Sequence, residues 1–344
     1  MTIYPATPLP RIPSLRMTRS SLERVISYPR LHVCLFDLGN ATPRRNGGAG
    51  FTLAGLPTVI EADQSERMEV SYSATIDRSA RMAMSNAIQR LSKLRPTVVV
   101  RLRVVEISRQ HIGLGSKTAL VLAALKAIDL ACNLGLAQHD LQMLSGRGGT
   151  SGIGINTFFA GGFVIDGGHS SRAHGGLLPS RFRRRFDIPP VIHSNIIPDN
   201  WRFHLLLPAG NYMHGAQEYE FFKNNTPIPA QETFRTIALA YHGLAPAVAT
   251  NDLRLLRDIL TSLHRIGFKR RELKGQTASV NIAVSRLRQR NDCAVGLSSM
   301  GPLVYAVTEA DNHHFTRFVE SLCRDGAVEM LGSFAGRNLG YESH

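Results

Sequence analysis

The stretch "HIGLGSKTALVLAALKA", residues 111–127, connects a predicted strand to a predicted helix through a glycine-rich turn. Upstream, "TVVVRLRVVEI" (97–107) alternates arginine with apolar residues, which is typical of a strand with one buried face. Downstream, apolar residues recur at helical spacing from Ser116 to about Leu134, and Ser116 is a suitable N-cap. The segment therefore predicts a strand–turn–helix unit.

The turn of this unit predicts an anion site. Backbone amides and the helix dipole at a helix N-terminus favour negative charge. Gly113 and Gly115 let the backbone approach phosphate oxygens without a Cβ atom, and Lys117 adds a cation. A tight structural turn explains the glycines equally well, and the GxxxxGK[ST] spacing of a P-loop is absent.

A second glycine-rich segment, "GRGGTSGIG" (146–154), is harder to explain as a plain turn. Five glycines in nine residues cost backbone entropy on folding, whereas a turn needs one or two. Consecutive amides can form a concave nest for an anion, and Arg147 can pair with a phosphate through two hydrogen bonds. Thr150 and Ser151 can donate further hydrogen bonds, so this segment predicts a phosphate or pyrophosphate site.

The third segment is "VGLSSMGPLVYAV" (295–307). It places Ser298 and Ser299 in a glycine-flanked loop before a predicted strand. A binding loop and a polar hairpin turn are both consistent with this pattern.

Strands and helices alternate along the chain, which predicts an α+β fold with two lobes. We expect a basic tail over 1–25, one lobe over 26–185 and a second lobe over 186–344, because residues 170–200 are irregular and basic. The predicted elements are strands at 30–39, 47–55, 69–76, 97–107, 162–168, 203–208 and 301–309, and helices at 80–94, 116–134 and, for the most part, 231–266.

The formal charge of +14 and a pI of about 10.2 are consistent with nucleic acid, an anionic membrane or small polyanions as partners. The cations are dispersed, and their densest run, Arg181–Arg185, is typical of a solvated loop. We therefore expect no nucleic-acid partner. No apolar run is long enough to span a membrane and no secretory signal begins the chain, so a cytoplasmic protein is expected.

These segments together resemble a known family. "RLHVCLFDLG", "GGAG", "GLGS" and "GLSSMGP" follow the order found in the GHMP kinase superfamily. "GRGGTSGIG", "GGFVIDGGH" (161–169), "GFKR" (267–270) and "GLSSxGPxxY" are similar to the β-ribofuranosylaminobenzene 5′-phosphate synthases, over about residues 28–335.

The resemblance implies a two-lobed GHMP-kinase-like fold with mixed sheets, packed helices and phosphate loops between the lobes. It implies a transferase that binds phosphoribosyl pyrophosphate (PRPP) instead of ATP. The ring carbon of an aromatic carboxylate attacks the anomeric carbon, pyrophosphate and CO2 leave, and a β-C-riboside 5′-phosphate results. A homodimer is the family expectation, and Mg²⁺ is expected at the pyrophosphate.

The resemblance also suggests roles for single residues. Arg30 or His111 is expected to hold the acceptor carboxylate, Lys223 a phosphate, and Ser116 and Asp166 a metal ion. Asp37, Asp166 or Glu218 is expected to face the cationic sugar or the acceptor, and His169 is a further catalytic candidate. The remaining binding candidates lie in the matched motifs: His32, Arg45, Asn46, Gly113, Gly115, Lys117, Thr118, Arg147, Gly148, Gly149, Thr150, Ser151, Ser298 and Ser299.

The sequence departs from the family pattern at two places. Lys117 and Ala119 stand where "GLGSGTQ" is usual, and Arg45 and Asn46 stand where "RVDGG" is usual. If these positions border the acceptor, the added cations favour a more acidic ring. This favours a pyrazole carboxylate of the C-nucleoside (formycin or pyrazofurin) type, with 4-aminobenzoate or 4-hydroxybenzoate next. An ATP-dependent small-molecule kinase and a basic nucleic-acid-binding protein are the alternatives.

The Arg147→Ala substitution should weaken PRPP binding by about 2–3 kcal/mol, the usual loss for a charge-assisted phosphate contact. Isothermal titration calorimetry measures this directly. Unchanged affinity would remove Arg147 from the binding site.

Overall fold

The computed structural model describes residues 22–170, 187–210, 212 and 216–344. Most of the predicted tail and the Arg181–Arg185 run lie outside the described residues. Strand β1 begins at Glu23, so the last residues of the predicted tail belong to a sheet.

The strands are β1 Glu23–Ser27, β2 Arg30–Asp37, β3 Arg44–Thr52, β4 Thr58–Gln64, β5 Glu69–Tyr72, β6 Val100–Glu106, β7 Phe163–Asp166, β8 His169–Ser170, β9 Val191–Asn195, β10 Trp201–Pro208, β11 Ala294–Leu297, β12 Val304–Glu309, β13 Val328–Ala335 and β14 Glu342–Ser343. The helices are α1 Arg78–Leu94, α2 Ser116–Ala131, α3 Gln138–Ser145, α4 Ile153–Ala160, α5 Ala216–Asn224, α6 Ala230–Leu239, α7 Ala245–Ala249, α8 Leu253–Leu263, α9 Gly267–Lys274, α10 Ala278–Arg288 and α11 His313–Arg324, with a π-helical turn at Ala240–Leu244.

These strands form three sheets, which confirms the predicted α+β class. One sheet has the order β14-β1-β4-β6-β5, a second the order β2-β3-β7-β9 with β8 added to β3, and a third the order β11-β12-β10-β13. The second and third sheets share one apolar core, and the first packs with α1, α2, α3 and α4 around another.

Helix α2 lies at the centre of the second of these cores. Eleven of its sixteen residues are apolar, twelve are buried, and it contacts β1, β4, α1, α3 and α4. A helix that is apolar on every side must be buried on every side. Its N-terminus is therefore held rigidly by tertiary packing, and the turn before it is positioned accordingly.

The periodic segments agree with the predictions. In β6, Val100, Leu102 and Val104 are fully buried while Arg101 and Arg103 are exposed. The region 231–266 is mainly helical, as predicted.

Other segments differ from the predictions. The glycines of "GGAG" lie inside β3 rather than in a turn before it, and the irregular region 170–200 contains β9. Strands β4 and β13 have no clear alternation of apolar and polar residues, and neither strand was predicted.

The predicted lobe boundary at residue 185 stays a prediction. Residues 171–186 lie outside the described residues, but strands from beyond the boundary return to earlier sheets. Strand β9 pairs with β7, and β14 pairs with β1. Within the described ranges, no helix is long and apolar enough to cross a membrane.

An aromatic cluster connects the second and third sheets. Phe51 of β3 lies 4.9 Å from Phe163 of β7 and 5.4 Å from Phe203 of β10, measured between ring centroids. All three side chains are fully buried. The cluster therefore fixes the sheet that carries β2 against the sheet that carries the 298–303 loop.

The Phe51→Ala substitution should lower the free energy of unfolding by about 3–5 kcal/mol, because a large ring is removed from a packed core. Thermal and urea unfolding measure the change. The matched control is Phe234→Ala on α6, where the ring is 52% exposed and a loss below about 1 kcal/mol is expected. Equal losses in the two variants would contradict the assignment of Phe51 to the core.

Candidate active site

A cleft lies where β2, the glycine-rich loops and α9 meet. Its empty space is about 1050 Å³, including the mouth that is open to solvent. Eleven of the predicted residues line it: Arg30, His32, His111, Lys117, Thr118, Arg147, Gly148, Thr150, Ser151, Glu218 and Ser299. The structure thus brings the three glycine-rich segments together in one place.

Two helices begin at this cleft. Gly115 is the N-cap of α2, with Ser116 as the first helical residue, so the prediction that Ser116 is the N-cap was wrong by one position. The "GRGGTSGIG" segment ends α3 at Gly146 and begins α4 at Ile153, with Gly152 as its N-cap. The sequence indicated a loop there and missed this helix. Two helix N-termini at one cleft favour a bound anion more strongly than either does alone.

Two of the glycines are required by the geometry of the cleft. Gly113 has φ +103°, and a Cβ atom there would lie 2.4 Å from the Ser298 carbonyl oxygen. Gly148 has φ +94°, and a Cβ atom would lie 2.4 Å from Cδ1 of Ile155. Both positions combine a left-handed backbone with a close approach, so the two loops can pack only with glycine.

Arginine and lysine side chains give the same wall of the cleft a positive charge. Arg30 donates from Nη1 to the Gly113 carbonyl at 2.6 Å, and Arg147 donates from Nε to Thr118 at 3.2 Å. Burial and the neighbouring Arg147 guanidinium lower the pKa of Arg30 to about 10. Among the described residues, no carboxylate forms an ion pair with Arg30. Two mutually repelling guanidinium groups in a buried cleft favour the binding of an anion.

A chain of hydrogen bonds fixes the "GRGGTSGIG" segment, here called the glycine loop, to the sheet that contains β2 and β7. The Ser151 hydroxyl lies 3.0 Å from Nε2 of His32 and 3.2 Å from Oδ2 of Asp166. Asp166 also accepts from the amides of Gly152 at 3.0 Å and Gly168 at 2.9 Å. Burial and the nearby cations of Arg30 and Lys269 hold the pKa of His32 well below its usual value. His32 is therefore neutral, and an ionised Asp166 requires it to donate from Nε2 to Ser151.

Four further residues of the lining, here called the apolar wall, were not assigned from the sequence. Leu35, Phe222 and Met300 are apolar, and Glu272 is a buried carboxylate paired with Lys269 at 2.6 Å. Lys269 lies in the "GFKR" motif, which was the available signal for the apolar wall. Nothing in the sequence showed that Glu272, one helical turn further on, also reaches the cleft.

Several predicted site residues do not line the cleft. Asp37 is buried and accepts from the backbone amides of Gly39, Ala41 and Thr42, so it stabilises a turn. His169 is fully buried, with Nδ1 2.9 Å from the Asp187 carbonyl.

Other predicted positions lie at the surface or behind the loops. Lys223 is exposed on α5, Ser298 bonds His32 and Gly113 from behind the cleft, and Ser116 is buried at the start of α2. Gly113, Gly115 and Gly149 shape the loops without lining the cleft.

Of the positions that depart from the family pattern, Lys117 alone lines the cleft. Asn46 is buried in β3, 3.5 Å from the Gly149 carbonyl, and neither Arg45 nor Ala119 belongs to the lining. That these positions border the acceptor therefore stays a prediction, and the lining of the cleft supports it for Lys117.

Asp166 and Ser116 do not fit a magnesium site. Both carboxylate oxygens of Asp166 accept hydrogen bonds from the protein, and the side chain is fully buried. The described ranges contain no group of three His, Cys, Asp or Glu side chains that could hold a metal. Mg²⁺ needs carboxylates or waters with free lone pairs, and the surroundings of Asp166 offer too few of them.

The fold belongs to the GHMP kinase class. Over 90% of this chain and 98% of that protein, the structure superposes on phosphomevalonate kinase from Streptococcus pneumoniae with a TM-score of 0.66 at 13% identity. Homoserine kinase from Cytophaga hutchinsonii gives a TM-score of 0.64 at 12% identity, covering 97% of this chain and 100% of that protein. At such identities the likeness defines the fold alone.

Sequence similarity defines the family more narrowly. The chain is 31% identical over 294 residues to beta-ribofuranosylphenol 5′-phosphate synthase from Methanocaldococcus jannaschii, covering 82% of this chain and 88% of that protein. The synthase of the same name from Methanothermobacter thermautotrophicus is 29% identical over 326 residues, covering 93% and 98%. No family model matches the chain. The chain belongs to the beta-ribofuranosylphenol 5′-phosphate synthase family, and it is an enzyme.

The Asp166→Asn substitution tests the electrostatics of the loop. Burial raises the pKa of Asp166 from 3.8 to about 7. Between these values the folded state holds a proton that the unfolded chain releases, so this group's contribution to stability falls as pH rises. Relative to Asp166→Asn, the wild type should lose up to about 1.4 kcal/mol per pH unit between about pH 5 and pH 7, measured by urea unfolding.

The matched control is Asp292→Asn, just before β11. Burial opposes ionisation of Asp292, but hydrogen bonds from Arg290 and Asn312 outweigh it and lower the pKa of Asp292. The contribution of Asp292 to stability changes only below about pH 4, so the difference between this variant and wild type should be constant from about pH 5 to pH 7. A constant difference for Asp166→Asn as well would show that Asp166 is ionised throughout.

Proposed function

We propose that this protein is a decarboxylative C-ribosyltransferase that joins C1 of PRPP to the ring carbon of an aromatic or heteroaromatic carboxylate. The observation that carries the proposal is the composition of the cleft. Its lining combines the starts of two helices, Arg30 and Arg147 with apolar side chains and the Glu272 carboxylate. This combination suits a donor with several phosphate groups and an acceptor with a flat ring.

The cationic wall has the properties that pyrophosphate departure requires. Negative charge develops on the leaving group as the C1–O bond breaks, and fixed amides and guanidinium groups stabilise that charge without reorganising. The hydrogen bonds of Arg30 to Gly113 and of Arg147 to Thr118 hold both guanidinium groups in place before substrate arrives. In this proposal both side chains bind the donor, which differs from the carboxylate role predicted for Arg30.

The acceptor carbon loses CO2 in place of a proton. The electron pair of the ring–carboxylate bond restores aromaticity, so no base is needed at the attacked carbon. Lys117 lines the cleft, where it also donates to the Ser79 hydroxyl at 2.8 Å, and it adds a cation that the family pattern lacks. An additional cation in the cleft favours a more acidic acceptor, so we favour a pyrazole carboxylate of the C-nucleoside type over 4-hydroxybenzoate or 4-aminobenzoate.

We further propose that the reaction requires Mg²⁺ and that the protein is a homodimer in the cytoplasm. Mg²⁺ usually binds substrate phosphates through one or two protein ligands and several waters. We propose that it arrives with the pyrophosphate group rather than in a protein cage.

Incubation with PRPP and each carboxylate should release CO2 and pyrophosphate and give a product with the mass of the C-riboside 5′-phosphate. PRPP at about 100 times its dissociation constant should stabilise the fold by about 2.7 kcal/mol, and ATP should not. Mass spectrometry and thermal shift provide the two readouts.

The matched variants are Arg30→Gln in the cleft and Arg235→Gln on the exposed face of α6. The first should abolish the PRPP-dependent shift and the second should retain it. Stabilisation by ATP with indifference to PRPP would support a kinase and refute the transferase.

A further inference from the structure

Helix α9 contributes the pair of Lys269 and Glu272, and the Glu272 side chain lines the cleft. Both side chains belong to α9 and are almost fully buried, with Nζ of Lys269 2.6 Å from Oε2 of Glu272. Removing two charges from water costs several kcal/mol per ion before their attraction is counted. No feature of donor binding explains why the fold keeps this pair.

Lys269 has a structural role in addition to its ion pair with Glu272. Its ammonium group donates to the Leu297 carbonyl at 3.1 Å and approaches the Ser299 carbonyl at 3.4 Å. It therefore ties α9 to the 298–303 loop. Gln276 strengthens the same connection, because its side chain donates to the Met300 carbonyl at 3.2 Å.

The Glu272 carboxylate has fewer protein partners than the Lys269 ammonium group. Among the described residues, Lys269 is the one side chain that donates to Glu272, and the Glu272 side chain also lines the cleft. A carboxylate has about four acceptor positions, so Glu272 retains acceptor capacity for a ligand. A buried carboxylate with spare acceptors is unfavourable unless a donor is supplied from the cleft.

The neighbours of Glu272 are suited to a flat ring. Leu35, Phe222 and Met300 line the same part of the cleft, and Leu35 and Phe222 belong to one apolar cluster with Phe268. The rings of Phe222 and Phe268 lie 5.2 Å apart, which holds the Phe222 side chain in place. An apolar wall with one charged acceptor is typical of a pocket that orients a ring by one polar substituent.

We propose that Glu272 is a catalytic residue of the acceptor subsite, where its carboxylate accepts the O–H or N–H of the acceptor ring. The inference rests on the proposed function and names which part of the cleft takes the ring. The ring lies against Leu35, Phe222 and Met300, and the donor phosphates lie against the glycine loops.

The proposed reaction balances in protons and electrons without any further reactant. Pyrophosphate leaves C1 with the electron pair of the C1–O bond, and the ring carbon that bears the carboxylate donates a π pair to C1. As positive charge spreads over the ring, its O–H or N–H proton passes to Glu272. The ring–CO2 bond then breaks, its electron pair restores aromaticity, and Glu272 returns the proton to the ring oxygen or nitrogen.

The surroundings of Glu272 suit this role better than those of the other acids. Burial raises the pKa of Glu272, which makes it a better proton acceptor than a solvated glutamate. Asp37 and Asp166 use both carboxylate oxygens to hold backbone amides. Glu218 lines the cleft on α5 and is the competing carboxylate, which the experiment distinguishes.

The test compares Glu272→Gln with wild type using PRPP and 4-hydroxybenzoate, 4-aminobenzoate or pyrazole-3,5-dicarboxylate, whichever the wild type converts. Glutamine keeps the shape of the side chain but cannot take the proton. We expect kcat to fall by about 100-fold or more, as for a lost general base, with PRPP affinity unchanged. The methylated form of the same acceptor, which has no O–H or N–H to give, should bind wild type at least about tenfold more weakly, and Glu272→Gln should lose this preference.

The matched control is Glu61→Gln, which removes a buried carboxylate that pairs with Arg24 and Arg103 away from the cleft. This variant should keep turnover within about twofold of wild type, which shows that removing a buried charge does not by itself stop the reaction. Glu218→Gln is measured in parallel and should keep the preference for the ring donor.

Full turnover by Glu272→Gln would overturn the assignment while leaving the transferase function intact. Loss of PRPP binding in that variant would also overturn it, because it would place Glu272 in the donor site. If Glu218→Gln alone loses the preference, the role belongs to Glu218. Wild type that converts none of the three acceptors and ignores PRPP would instead refute the proposed function.

Discussion

The cleft depends on one hydroxyl group, that of Ser151, which joins the glycine loop to two strands. It meets Asp166 at the end of β7, His32 in β2 and the amide of Ile153 at the start of α4. Each partner is buried, so each hydrogen bond is costly to lose. The glycines of this loop have no side chains that could pack against the core. The hydrogen bonds of Ser151 therefore hold the loop in its conformation.

The cleft contains buried charged groups that packing alone would not require. Arg30 is buried close to the Arg147 guanidinium, and Glu272 is buried with Lys269. Each arrangement costs free energy in the protein alone, and in the proposed reaction the anions of the donor and the polar hydrogen of the acceptor ring offset these costs. A shared fold with kinases is compatible with this, because the glycine turn before α2 suits phosphate groups of any origin.

The sequence predicted that Arg30, Arg147 and the glycine-rich segments meet in one site, but it did not predict the apolar wall. Glycine, arginine and hydroxyl residues are clustered within short segments, so Arg147, Thr150 and Ser151 could be assigned from spacing alone. Leu35, Phe222, Glu272 and Met300 come from four separate elements. In its local sequence, each of these four residues resembles an ordinary core or surface residue. Only the tertiary structure brings them together.

The sequence by itself determined the strand–turn–helix unit around Gly113 and Gly115 and the regular periodic elements, since these follow from local spacing and backbone freedom. Tertiary structure alone decided that Asp166 holds a loop and that Glu272 faces the cleft, whereas the turn that Asp37 stabilises is local, with donors two to five residues further along the chain. The physical reason is that a carboxylate's role depends on which donors reach it and how much water remains. Both are set by chain segments that are distant in sequence, as in the approach of β2, α9 and the 298–303 loop.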